Sequence, residues 1–91
     1  MKVKRQKFKN ETKTFEFDVN SYIFLVKNLT DDDVYVCLGN SFDENTAIKI
    51  PSYMSQPVTE NINHTVSAYS YDTITIKSPG EGEVEVQCLK Y

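Results

Sequence analysis

Ninety-one residues with a net charge of −3 make one domain with a single thin core, and leave no room for helical layers framing a deep cleft. The longest apolar run, Tyr22 to Val26, falls far below the roughly 18–20 residues a membrane helix needs. The opening MKVKRQKFKNETK is basic but lacks the apolar stretch of a secretory signal, so cytoplasmic synthesis and no membrane partner are expected.

The chain is 40% hydrophobic and 25% charged, ordinary for a globule, but its apolar set leans to Val, Ile, Tyr and Phe. These side chains suit a pleated, half-buried surface and lose rotamer freedom in helices. Residues 1–13 carry +5, leaving −8 on the remainder. That basic segment reads as an N-terminal arm or an edge strand, followed by a single β domain over 14–91. Phe15, Phe17 and Val19 alternate with Glu16 and Asp18, which marks a half-buried strand, and Asn20-Ser21 reads as a turn. Tyr22 to Val26 is apolar on both faces and so predicts a central strand covered twice. Asn28 to Asp33 is a turn cluster, because Asn and Asp bond their own backbone and tolerate tight bends.

A strand from Val34 to Leu38 follows, ending at Gly39-Asn40-Ser41. Phe42 to Asn45 reads as loop, then Ala47 to Ile50 as a short strand stopped by Pro51. Ser52 to Glu60 gives no clear pattern beyond a proline-bracketed loop placing Tyr53 and Met54 over one end of the core. One strand is expected around His64–Tyr69, with Val66 and Ala68 inward. Thr73–Lys77 and Glu83–Leu89 alternate on either side of Ser78-Pro79-Gly80-Glu81-Gly82 and predict a closing β-hairpin whose glycines supply positive φ. Six to seven short strands with regularly spaced turns predict an all-β fold, a small antiparallel β-sandwich of jelly-roll or immunoglobulin-like kind.

Candidate chemistry is sparse. His64 is the only histidine and stands between Asn63 and Thr65, with no nucleophile elbow in the chain. Asp31, Asp32, Asp33, Asp43 and Glu44 fall in expected turns, where water solvates carboxylates, and they lack the spacing of a calcium loop. Gly80-Glu81-Gly82 precedes a strand and has an acid at its centre, which argues against a phosphate cradle. Asn10-Glu11-Thr12, Asn28-Leu29-Thr30 and Asn63-His64-Thr65 fit the glycosylation triplet, without a signal peptide to give it meaning. Cys37 shares strand parity with Tyr35, whereas Cys88 lies with the valines, so a bridge between them is not expected. No zinc site, cofactor or catalytic residue is predicted.

Two surface features remain. Lys2, Lys4, Arg5, Lys7 and Lys9 offer an assembly contact, lying on the acidic surface of a neighbouring copy, or, on an equal footing, serve solubility alone. A nucleic-acid backbone ranks behind both, since the body is acidic and only Phe8 is interleaved with the basic residues. Tyr69 and Tyr71 share strand parity and form a minor candidate ligand platform, although tyrosines at sheet ends more often anchor half-buried.

LVKNLTDDDVYVCLG (two strands across an Asn/Asp turn), AIKIPSYMSQP and YDTITIKSPGEGEVEVQCLKY together resemble the small β-sandwich accessory proteins encoded among phage and prophage structural genes. That resemblance implies a non-enzymatic virion component, such as a head decoration, head-fibre or tail-associated protein. Its partners would be itself, as a homo-oligomer, or another virion protein, and its location the virion; without the resemblance the location is cytoplasmic. The alternative expectation is a small β-sandwich that binds carbohydrate or peptide. The basic residues 1–13 lie outside the resemblance.

Overall fold

The computed structural model describes residues 2–60 and 69–91, and every regular element within them is a strand. In chain order these are β1 (Lys2–Ser21), β2 (Ile23–Thr30), β3 (Val34–Leu38), β4 (Ile48–Ile50), β5 (Ser55–Val58) and β6 (Tyr71–Lys90). All pairings are antiparallel and join into one sheet, in which β6 is the spine. β1 runs along one flank of β6, from Lys2 opposite Cys88 to Ser21 opposite Tyr71. On the other flank, β3 holds Ile74–Lys77 and β2 holds Gly82–Lys90. β4 and β5 add to β3 and β2 respectively. The expected all-β, antiparallel class is the one observed, as a doubled, nearly barrel-shaped sheet.

The doubling comes from a common line of bends. β1 bends at Asn10, whose φ is 49°, opposite a register shift that leaves Pro79 and Gly80 of β6 without partners in the ladder. β2 passes into β3 through Asp31–Asp33, and β4 into β5 through the turn in which Met54 N–H donates to the Pro51 carbonyl. An extended strand would hold Phe8 and Phe15 about 23 Å apart, yet their rings stack with centroids 6.1 Å apart. The two halves of β1 therefore face each other across the core. Phe17 meets Phe24 in the same way at 5.8 Å.

The core between the halves is apolar. Phe8, Phe15, Phe24, Val26, Val36, Ile74, Ile76, Val84 and Val86 are all buried, each contributing roughly 1.5–3 kcal/mol over leaving it in water. In β6 the inward residues keep one parity throughout: Ile74, Ile76, Ser78, Val84, Val86 and Cys88 are all buried. In β1 parity switches from Phe8 to Phe15 and Phe17, because the shift at Asn10 moves the register by one residue and exchanges faces.

Several expectations are corrected here. Of the two alternatives for the basic segment, the strand is the one observed: residues 2–13 are the first half of a twenty-residue strand and not a detached arm, and their period was hidden by the parity switch. Asn20-Ser21 is not a free turn: Ser21 is buried and its hydroxyl donates to the carbonyls of Ile23 at 2.7 Å and Lys90 at 3.1 Å. Asn28 to Thr30 belong to β2, leaving only Asp31–Asp33 as the turn. Thr73–Lys77 and Glu83–Leu89 do not form a hairpin. They are two halves of β6, since the first finds its partners in β1 and β3, the second in β1 and β2, and neither in the other. β2 is interior to the sheet, yet within the expected Tyr22–Val26 run only Phe24 and Val26 are fully buried, while Ile23 and Leu25 are half-buried. Residues 55–58 form a strand despite Pro57, which is tolerated because β5 pairs only with β2 among the described residues. The strand expected around His64 falls largely on residues 61–68, outside the described residues; Tyr69 itself is irregular and exposed.

Candidate functional site

The basic and acidic segments answer each other. Arg5, Lys7 and Lys9 recur every second residue, as do Glu85, Glu83 and Glu81, and the ladder sets them opposite in that order. Side chains two apart share a face, so the charges line the outer side of the sheet. Complementary period-two charges thus marked the β1–β6 pairing in the sequence, a signal missed by reading the basic residues as an independent segment.

Glu85 is the centre of this row and only 4% exposed. Its carboxylate accepts from Arg5 Nε at 2.6 Å and from the Gln87 amide at 2.7 Å, and Lys27 Nζ lies 3.3 Å away. These donors, Gln87 first and then Arg5, outweigh burial and hold its pKa at about 2. One strand from each flank is thereby tied to the spine. The other expected contact residues lie at the ends of the same strand half: Lys2 pairs with Asp18 at 3.1 Å, and Lys4 sits 5.6 Å from the centroid of Phe17. Lys7 and Lys9 make no ion pair among the described residues.

The outer flank of β1 is partly closed by its own side chains. Lys13 Nζ donates to the Lys7 carbonyl at 2.5 Å, Gln6 Nε2 to the Thr14 carbonyl at 3.4 Å, and Lys9 N–H to Glu11 at 3.0 Å. Such capping blunts an edge that would otherwise invite another strand.

On the same outer face as Glu85, the register places Val3, Gln87, Leu25 and Pro57 in one row, with Lys7, Glu83 and Leu29 beyond the ionic row. Ile23 and Leu89 project from this face beside the first row. Val3, Leu29 and Leu89 are exposed. The opposite outer face is covered by the chain itself. Cys37 Sγ donates to the Asp43 carbonyl at 3.3 Å and accepts from Asp43 N–H at 3.4 Å, while Lys77 pairs with Glu44 at 3.3 Å and lies over Phe42.

Tyr69 and Tyr71 are not an equivalent pair. Tyr69 is exposed in irregular chain, whereas Tyr71 opens β6, packs on the core and donates its hydroxyl to Glu60. That bond to a carboxylate, aided by burial, raises the Tyr71 pKa to about 12. Tyr71, Glu60, Thr59, Leu38, Ile48 and Cys37 line an open hollow of about 460 Å³. Cys37 and Cys88 are both free and buried, Cys88 with its thiol pKa pushed up by desolvation.

Of the expected turn acids, Asp31 and Asp33 serve the line of bends. Asp31 Oδ1 accepts the Glu81 N–H at 2.8 Å, and Asp33 pairs with Lys49 at 3.6 Å. Gly82 has φ 146°, as expected of a glycine there, but it sits in mid-strand against Leu29 and Thr30, where a Cβ would come within 2.6 Å of the Leu29 carbonyl oxygen.

The residue that sequence reading undervalued most is Asn28. It is fully buried, its amide donating to the Asp32 carbonyl at 2.8 Å and the Ile50 carbonyl at 3.0 Å. Its Oδ1 accepts from Thr30 N–H at 2.9 Å and Thr30 Oγ1 at 2.7 Å. All four bonds hold the place where β2, β3 and β4 meet. Its position before Leu29-Thr30-Asp31 had pointed only to a turn.

Together these features define an all-β protein in which Arg5, Lys27, Asn28 and Glu85 help hold a bent sheet together. Comparison with protein-family models, with curated proteins and with solved structures finds no match to this chain.

Proposed function

We propose that this protein is a non-enzymatic structural component that acts by assembly, its sheet halves serving as the two layers of a small β-sandwich. The observation that carries the reading is the engagement of its reactive groups in architecture. Glu85, Arg5 and Lys27 clamp strands, Asn28 pins the line of bends, and Cys37 holds a covering loop. What such a molecule offers a partner is its exterior: exposed sheet surface and sheet edges. The resemblance to phage and prophage accessory proteins extends the proposal to a virion component, with a second copy or another virion protein as partner.

Mass spectrometry of purified particles from cells carrying this gene tests the proposal. Stoichiometric incorporation supports it. Recovery of the chain only as free protein, absent from particles, refutes the virion role. The hollow beside Tyr71 favours a second reading, a binding module for sugar or peptide, since its volume lies within the range of ligand pockets. Titration with oligosaccharides or peptides, watched through the Tyr71 ring resonances, separates the two.

A further inference from the structure

We propose that the outer face built by the first half of β1, the second half of β6, β2 and β5 is the interface of a symmetric homodimer. On it a second copy of this chain lies face to face over Val3, Ile23, Leu25, Leu29 and Leu89. This rests on the assembly reading and gives it a surface and a partner.

The first ground is the side-chain pattern of β2. A strand with one covered face alternates apolar and polar residues. β2 instead places Phe24 and Val26 in the core and sets apolar Ile23 and Leu25 on the outside, where they are only half-buried. The two outer faces also differ. One is covered by the loop carrying Phe42, Asp43 and Glu44 through contacts to Cys37 and Lys77. The other has no such cover among the described residues: the register sets Val3 and Leu25 on either side of Gln87 and Leu29 beyond the ionic row, with Val3, Leu29 and Leu89 exposed.

Charge points to a copy of the same chain. Glu85 is already satisfied by Arg5, Gln87 and Lys27, so covering it strands no unpaired charge, the usual penalty for a buried ion. Arg5, Lys7 and Lys27 stand against Glu83 and Glu85, which leaves the face close to neutral. The bend line, where Asp31, Asp32 and Glu81 outnumber Lys9, keeps a net negative charge that opposes its counterpart in another copy. This face does not, and a strongly charged partner gains little from it. Two-fold pairing of one patch with itself is the commonest arrangement of homo-oligomers. Four strands at ~4.8 Å spacing by about seven residues of ~3.4 Å present on the order of 450 Å² per copy. Twice that approaches the ~1,000 Å² of a modest specific interface, so a reversible, concentration-dependent dimer is expected.

Sedimentation velocity of the full chain, from low to high micromolar concentration, tests this alongside a Val3→Glu/Leu89→Glu variant. Both side chains are exposed in the single chain, so circular dichroism of the variant should match wild type. Wild type should shift from monomer to dimer, and the variant should associate about tenfold more weakly or worse. Wild type that stays monomeric throughout overturns the dimer, and particle composition still decides the assembly reading independently. A wild-type dimer undiminished in the variant overturns this face while leaving self-assembly standing. Should the double variant lose the wild-type spectrum, Val3→Glu alone at the sheet edge gives the same readout.

Discussion

Replacing Asn28 with alanine removes a buried side chain that bonds to both sides of the bend line. The change strips donors from the Asp32 and Ile50 carbonyls and an acceptor from the Thr30 N–H. Thr30 Oγ1 still reaches the Asp32 carbonyl at 2.8 Å, so two backbone groups, the Ile50 carbonyl and the Thr30 N–H, lose these partners outright. At about 1–3 kcal/mol for each buried unsatisfied group, the cost is roughly 3–4 kcal/mol. That is a large share of the 5–15 kcal/mol typical of a domain, and corresponds to a melting temperature lower by roughly 15–25 °C. Urea denaturation followed by far-ultraviolet circular dichroism measures it. Asn28→Asp sharpens the test. It keeps the acceptor oxygen but turns a carboxylate oxygen towards two carbonyls, raising the folded-state pKa above the unfolded value. Stability of that variant should therefore rise as pH falls from 7 towards about 4, opposite in sign to an ordinary surface carboxylate. An Asn28→Ala protein within ~1 kcal/mol of wild type, with the Asp variant insensitive to pH, would refute the role of Asn28 as a pin.

Deleting residues 1–13 should abolish cooperative unfolding instead of releasing a dispensable arm, because it removes Phe8 from the core and half the partner of β6; a melt close to wild type would contradict the fold. Gly82→Ala should cost about 2–4 kcal/mol, since a Cβ collides with the Leu29 carbonyl and the Thr30 Cα at a φ of 146°. Gly39→Ala meets nothing nearer than 3.9 Å and should cost about 1 kcal/mol for its positive φ alone, so equal melting temperatures for the two variants would tell against the crowding. Glu85 titrates near 2 when folded against 4.5 as the ordinary value. Its contribution is present above pH 4.5 and is lost as pH falls towards 2. The shift corresponds to about 3 kcal/mol, which screening at the solvent-facing surface reduces to about 1–2 kcal/mol. Glu85→Gln should lose that component of the acid sensitivity, and an unchanged pH–stability profile would count against the clamp.

Much of the strand pattern was written locally. Val34–Leu38 begins and ends where its alternation and flanking turn residues place it, and the valines of β6 announce the buried parity that Cys88 shares. Pro57 concealed β5, because proline argues against a strand until its edge position is known. Phe8 escaped the core assignment because its parity disagrees with Phe15, a disagreement that makes sense only once the register shift opposite Asn10 is seen. Asn28 looked like a turn residue because the same side chain that bonds its own loop can also bond carbonyls brought to it from Ile50, far along the chain.

The sequence by itself determined the all-β class and most strand positions, since both follow from side-chain period and backbone preference over a few neighbours. Tertiary structure alone decided that Ser78–Gly82 is a bend within one long strand. The physical reason is that a hairpin and a bent strand share the same local pattern of alternation, proline and glycine. They differ only in which distant strand receives each backbone hydrogen bond.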